Sequence, residues 1–216
     1  MTAVQNQNEV PKPVVFLVDD EQEVRMTLSR ALEIRGFTVT AFPSAETFLE
    51  NYTSNQPGCL VLDYGMPGMN GLALQKEMTR LGISLPIIFI SGHGGVPESV
   101  QAMKGGAMDF IPKPFRQGAL VEAIRKAFEQ DAATREKFAL EFQTKTKFDR
   151  LTTREKEIAD FILANPSATS SKHIGRELDI SPRTVDHHRA RILEKLEVSS
   201  VAELITLAGT IAHDTE

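Results

Sequence analysis

The chain has 216 residues, of which 41% are hydrophobic and 25% charged, with a formal net charge of −5. Those proportions fit ordinary globular protein in one large or two small domains, and the acidic balance argues against a protein that coats nucleic acid non-specifically. A single cysteine, Cys59, excludes an intrachain disulfide, and the longest apolar run, Leu85 to Ile90, contains Pro86 and is too short to cross a bilayer.

The N-terminus, Met1 to Pro13, is polar and has no cationic stretch leading into an apolar core. It does not read as a signal peptide, so a cytoplasmic protein is expected, with residues 1–12 disordered. From Val14 onward, short apolar runs alternate with amphipathic stretches. Strands are predicted at Val14 to Val18, Phe37 to Ala41, Cys59 to Leu62, Pro86 to Ile90 and Met108 to Ile111. Helices are predicted between them at Glu21 to Arg35, Ser44 to Tyr52, Leu72 to Leu81 and Val96 to Lys104, with a further helix starting near Arg116. Strands separated by crossover helices give a parallel sheet covered on both faces, an α/β doubly wound fold. Cys59, inside a strand, reads as a buried apolar filler.

The carboxyl edge of such a sheet is where its chemistry gathers. Asp19 and Asp20 follow the first strand, and Asp63 closes the third, opening into Tyr64-Gly65-Met66-Pro67-Gly68. An acidic residue at a strand-to-helix junction is usually a helix cap, but the first and third strands are neighbours here, so three carboxylates meet in one crevice. Like charges that close require a cation or a proton. The fourth strand ends at Ser91-Gly92 and the fifth at Lys113, held between Pro112 and Pro114. A carboxylate nucleophile, hard oxygen ligands for Mg²⁺ and an ammonium suit phosphoryl transfer to Asp63.

This ordered set, Asp19-Asp20, Asp63 with Met66-Pro67-Gly68, Ser91-Gly92 and Lys113-Pro114, resembles the receiver domain of two-component response regulators. The resemblance implies a five-stranded flavodoxin-like sheet of order 2-1-3-4-5 and phosphorylation of Asp63 by a cognate sensor histidine kinase. It further implies that Asp20, Asp63 and the Gly65 carbonyl bind Mg²⁺ directly and Asp19 through water. Ser91 and Lys113 would hold phosphoryl oxygens, Phe110 would be the aromatic that turns inward on activation, and the Lys113-Pro114 bond would be cis. Gly65 departs from the pattern, because many receivers carry a side chain there that shields or positions the attacking water. No enzyme is expected: His93-Gly94-Gly95 lacks the Gly-x-Ser-x-Gly elbow of a hydrolase, and Gly65 stands where an aspartate-nucleophile phosphatase would want a second acid.

Neither Gly nor Pro interrupts Phe128 to Phe148, so the helix from Arg116 has no reason to stop before Thr144, and residues 129–148 read as a helical linker between a receiver at 13–128 and a second domain at 149–216. Val121, Phe128, Arg135 and Phe142 recur every seven residues, with Ile124, Asp131 and Phe138 on the alternate seam. A dimer seam and a lone helix lying on a domain both remain open. Beyond Leu151 four helices are predicted, Thr153 to Ala164, Ser170 to Leu178, Pro182 to Leu196 and Ser200 to Ala212, making the second domain small and all-α.

Ser181 and Pro182 form a strong helix start after a tight turn, the pattern of a helix-turn-helix. Val185, Ile192 and Leu196 share the core face of the helix that follows, while Arg183, His187, Ala190, Arg191 and Glu194 lie opposite, with Asp186 at the edge. Leu151 to Ile158, Ile174 to Leu178 and Ser181 to Arg189 together resemble the LuxR-type helix-turn-helix, and the whole architecture resembles the FixJ/NarL subfamily of response regulators. That implies binding of double-stranded DNA, with Asp186, His187 and Ala190 facing bases, Thr184, Arg191 and Lys195 contacting phosphate, and Lys172 and Arg183 as further DNA-binding residues. It also implies a homodimer on phosphorylation, with Val201, Leu204, Ile205 and Ala208 of the last helix as dimerisation candidates and RNA polymerase as a further candidate partner.

Overall fold

The computed structural model describes residues 11–54, 56–92 and 95–210. The chain divides into two compact units on either side of the Thr134–Arg135 junction. The expected disorder of residues 1–12 falls almost wholly outside the described residues.

The first unit holds five strands, β1 (Val14–Val18), β2 (Thr38–Phe42), β3 (Gly58–Asp63), β4 (Ile87–Ser91) and β5 (Asp109–Pro112), in the order β2-β1-β3-β4-β5. Every pairing is parallel, as the crossover pattern predicts. Between the strands run α1 (Gln22–Glu33), α2 (Ala45–Asn51), α3 (Gly71–Arg80) and α4 (Val96–Lys104), and α5 (Gln117–Asp149) follows β5. Residues on β3 alternate between two cores, as the two-residue period of a strand requires. Leu60 and Leu62 pack with Phe48, Leu74, Met78 and Ala102, whereas Cys59 and Val61 pack with Leu28, Leu32, Leu120 and Ile124 on the other face. Cys59 is fully buried, and burial pushes its thiol well above the ordinary range.

Strands β2 to β5 end one residue later than the apolar runs indicate; in β3, β4 and β5 the last positions are Asp63, Ser91 and Pro112, polar or imino residues that apolar periodicity cannot count. α5 runs five residues past Thr144. Its early seam positions are receiver core: Ile124 is fully buried, Val121 and Phe128 pack against the same cluster, and Asp131 is 1% exposed. Up to Asp131 the seam is therefore an internal packing face. Phe138 and Phe142 are 52% and 74% exposed.

The second unit comprises the end of α5, then α6 (Thr153–Ala164), α7 (Ser171–Glu177), α8 (Pro182–Leu196) and α9 (Val201–Gly209) around Ile158, Ile162, Ile174, Val185, Ile192, Leu196 and Leu204. Leu204 is fully buried in this core, so it has no surface to offer a partner and drops out of the dimerisation candidates. Val201, Ile205 and Leu207 are half-buried against the same cluster. The predicted continuation of α9 to Ala212 reaches beyond the described residues. Among the described residues no helix is long and apolar enough to cross a membrane.

Candidate functional site

Parallel register brings the first pocket together. β1 and β3 are hydrogen-bonded neighbours, which places Asp19 and Asp63 side by side at the carboxyl edge, and Asp63 lies opposite Ile90 on β4. Ser91 pairs with Pro112, and the Lys113 N–H donates to the Ser91 carbonyl at 2.6 Å, so the end of β4 positions the lysine. The Lys113–Pro114 bond is cis.

Lys113 Nζ reaches back into the crevice, 2.8 Å from both Asp19 Oδ2 and Asp63 Oδ1. Asp19 is fully buried and Asp63 nearly so, which makes this a bridged carboxylate pair with little water around it. Burial pushes the Asp19 carboxyl above its usual range despite the opposing Lys113 bond and the Glu21 N–H. Burial works against the Lys113 charge, but hydrogen bonds to both carboxylates outweigh it and hold its pKa above the usual value. Arg25 donates to the Asp19 carbonyl at 2.7 Å and fixes the turn that aims this carboxylate. Neither acid caps α1, whose N-cap is Glu21.

The Asp63 Oδ2 atom accepts the Gly65 N–H at 2.8 Å, and a Cβ on Gly65 would stand 3.8 Å from it, an ordinary contact distance. Gly71 is needed for contact rather than for backbone conformation: its Cβ would fall 2.6 Å from the Asp63 carbonyl and 2.7 Å from the Phe89 ring. Ser91 is 3% exposed. Phe110 is half-buried, stacked on Phe89 and edge-on to Tyr64, so an aromatic group backs the pocket. Asp20 is exposed at the mouth.

Asp19, Asp20, Asp63 and the Gly65 carbonyl are all hard oxygen donors, a set that fits Mg²⁺. Among the described residues no three His, Cys, Asp or Glu side chains stand close enough together to enclose an ion, and Lys113 instead bridges Asp19 and Asp63. The donors fit the ion in chemical type.

The second candidate surface is built on the turn between α7 and α8. Asp179 takes φ 52°, the Ile180 N–H donates to the Gly175 carbonyl at 2.9 Å, and a Cβ on Gly175 would lie 2.6 Å from Ile180 O. The turn closes so tightly that only glycine fits at Gly175. Ser181 caps α8 by accepting the Thr184 N–H at 3.0 Å, and Arg154 of α6 donates to the Leu178 carbonyl.

On α8 the predicted core residues Val185, Ile192 and Leu196 are buried, while Arg183, His187, Ala190 and Arg191 are exposed, as is Lys172 on α7. Thr184 is half-buried with its hydroxyl against Ser181. Two expected DNA contacts are engaged within the domain. The Asp186 carboxylate accepts from the Ser171 hydroxyl, which in turn accepts from Arg189 at 3.0 Å. Lys195 donates to Glu155 Oε2 at 2.6 Å and to the Arg150 carbonyl. Glu155 is 1% exposed, so Lys195 is a brace between α8 and α6. Pattern on α8 alone concealed Ser171 and Glu155, because each meets its α8 partner from another helix.

Comparison with known proteins assigns a family to each of the two units. Residues 15–125 match the model described as "Response regulator receiver domain", and residues 149–208 match "Bacterial regulatory proteins, luxR family". The chain is 37% identical over 203 residues to the response regulator protein TodT of Pseudomonas putida F1, covering 94% of this chain and 88% of that protein. It is 39% identical over 194 residues to the transcriptional regulatory protein FixJ of Rhizobium meliloti, covering 90% and 94%. Among solved structures, the response regulator StyR superposes with a TM-score of 0.82 at 41% identity, over 92% of this chain and 98% of that one.

Proposed function

Because the chain belongs to the two-component response regulators that carry a LuxR-type DNA-binding domain, we propose that Asp63 is its phosphoryl acceptor and that phosphorylation switches its binding to DNA. The observation that carries this reading is the Lys113 ammonium, 2.8 Å from both Asp19 and Asp63 at the carboxyl edge of the sheet. A cation already stands beside the nucleophile where charge on a transferred group develops.

In the reaction an Asp63 carboxylate oxygen forms a bond to the phosphorus of a kinase phosphohistidine, while the P–N bond breaks and its electron pair stays with the imidazole. Mg²⁺, held by Asp19, Asp20, Asp63 and the Gly65 carbonyl, would neutralise phosphoryl charge. Lys113 exchanges its contact with Asp63 Oδ1 for a phosphoryl oxygen, and the Ser91 hydroxyl donates to another. Phe110 follows Ser91 by repacking against Tyr64 and Phe89, a shift between two packings that phosphate need only bias.

Output runs through a dimer. Val96, Val100 and Met103 form an exposed apolar stripe on α4 at helical spacing, 77%, 44% and 48% exposed, and supply a receiver contact that phosphorylation favours. The DNA-binding domains, from residue 149, then engage two half-sites, with His187 and Ala190 presented to base edges in the major groove and Lys172, Arg183 and Arg191 to phosphate. The protein acts in the cytoplasm, where kinase and DNA are both accessible. Incubation with acetyl phosphate and Mg²⁺ is expected to add one phosphoryl group to the protein and none to Asp63→Asn. Selection from random duplex DNA is expected to enrich one motif. Absence of incorporation overturns the acceptor assignment, and absence of any enriched motif overturns the DNA output.

A further inference from the structure

Asp131 is a buried acid that the phosphoryl pocket does not use. It lies on α5 with 1% of its surface exposed, and its Oδ2 accepts the Gly58 N–H at 2.9 Å. Gly58 opens β3, the strand whose last residue is Asp63, so the acceptor strand is held at one end by α5 and carries the phosphoryl site at the other. Gly58 has φ +157°, and a Cβ there would stand 2.0 Å from the Val14 carbonyl, so the backbone that presents this N–H admits no side chain. The donor's position is fixed by the parallel pairing of β1 and β3, in which Val14 lies opposite Gly58.

On the helix, Ile124, Ala127 and Phe128 precede Asp131 as packing contacts with the sheet. After it, Ala132 and Ala133 are exposed, as are residues 136–140, and the next buried α5 residue, Thr144, belongs to the second unit. Asp131 is thus the last buried contact that α5 makes in the receiver before it becomes the linker. The position continues an apolar seam, yet carries a carboxylate.

We propose that Asp131 is a latch, holding the first linker turn of α5 to the start of the acceptor strand and releasing it when Asp63 is phosphorylated. The proposal rests on the reading of Asp63 as the acceptor. Apolar packing tolerates sliding, whereas a charge-assisted hydrogen bond is directional, and a buried carboxylate that loses its donor is better off in water. Such a contact has two states, docked and released, as a switch element requires. Released, the turn around Asp131 frays, and the linker leaves the receiver about one turn earlier.

Hydrogen exchange on the full-length protein, with and without beryllofluoride and Mg²⁺, tests the latch at the amides of residues 128–140. In the parent, beryllofluoride is expected to speed exchange there by roughly tenfold. Asp131→Asn, a neutral and weaker acceptor, is expected to exchange fast in both conditions, and Asp131→Leu, which substitutes packing for the latch, slowly in both. Incorporation from acetyl phosphate is measured on the same samples. Normal incorporation with parent protection unchanged by beryllofluoride overturns the latch alone, as does Asp131→Asn behaving as the parent. Failure of incorporation overturns both the acceptor reading and a latch keyed to it. Should Asp131→Leu fail to fold, parent and Asp131→Asn decide the matter.

Discussion

Lys113 and Asp63, fifty positions apart in the chain, meet at 2.8 Å, and the same ammonium satisfies the fully buried Asp19. Removing the cation leaves two carboxylates facing each other in a crevice with little water. Lys113→Met is therefore expected to destabilise the receiver by about 2 kcal/mol or more, because a buried charge loses its partner. Millimolar Mg²⁺ is expected to restore much of that loss by taking the cation's place. Urea unfolding with and without Mg²⁺ checks both, and a variant as stable as the parent without Mg²⁺ contradicts the electrostatic account.

The Glu155–Lys195 pair gives the second unit a distinct response to acid. Burial pushes the Glu155 carboxyl up, but the Lys195 and Thr152 donors outweigh it and hold the group at about 2, against an ordinary 4.5. A lowered carboxylate pKa contributes stability above 4.5 and loses it as pH falls toward 2. Glu155→Gln is expected to cost about 2 kcal/mol near neutral pH and to flatten the stability profile within that acid window. Urea midpoints of parent and variant should converge as pH falls. A gap that stays constant across the window removes the pair from the explanation.

Val100 occupies the middle of the exposed α4 stripe. Val100→Glu places a charge in that stripe without touching the phosphoryl pocket. It is expected to keep the beryllofluoride-bound protein monomeric in sedimentation while incorporation at Asp63 stays at the parent level. A variant that still dimerises on activation moves the interface elsewhere.

Arg183 and Lys195 are both basic residues of α8, yet they predict opposite phenotypes. Arg183 is exposed, and Arg183→Ala is expected to weaken DNA binding and, through the lost phosphate contact, to reduce the salt dependence by about one counterion. Lys195→Met is expected to lower thermal stability and leave the salt slope intact, since its ammonium serves Glu155. Binding titrations at several salt concentrations, paired with melting curves, separate the two roles.

Much of this was readable from the chain because the relevant signals are local. The Val14–Val18 run and the Thr153–Ala164 and Pro182–Leu196 patterns define their elements to the residue, and Asp63, Ser91 and Lys113 stand at strand ends where turn residues mark them. What stayed hidden depends on partners across the fold. Asp131 looks like a flaw in a heptad until Gly58 is found opposite it. Lys195 and Asp186 look like free charges on a recognition helix until Glu155 and Ser171 are placed beside them. Leu204 has the spacing of an interface residue, but the space it fills lies inside its own domain.

The central claim, that the chemistry at Asp63 governs DNA binding, is tested most directly by titrating the full-length protein against its selected duplex with and without beryllofluoride. Tighter binding of the beryllofluoride form, by roughly tenfold or more and abolished in Asp63→Asn, is the result this account predicts. Equal affinity in both conditions, with normal beryllofluoride uptake at Asp63, would contradict it.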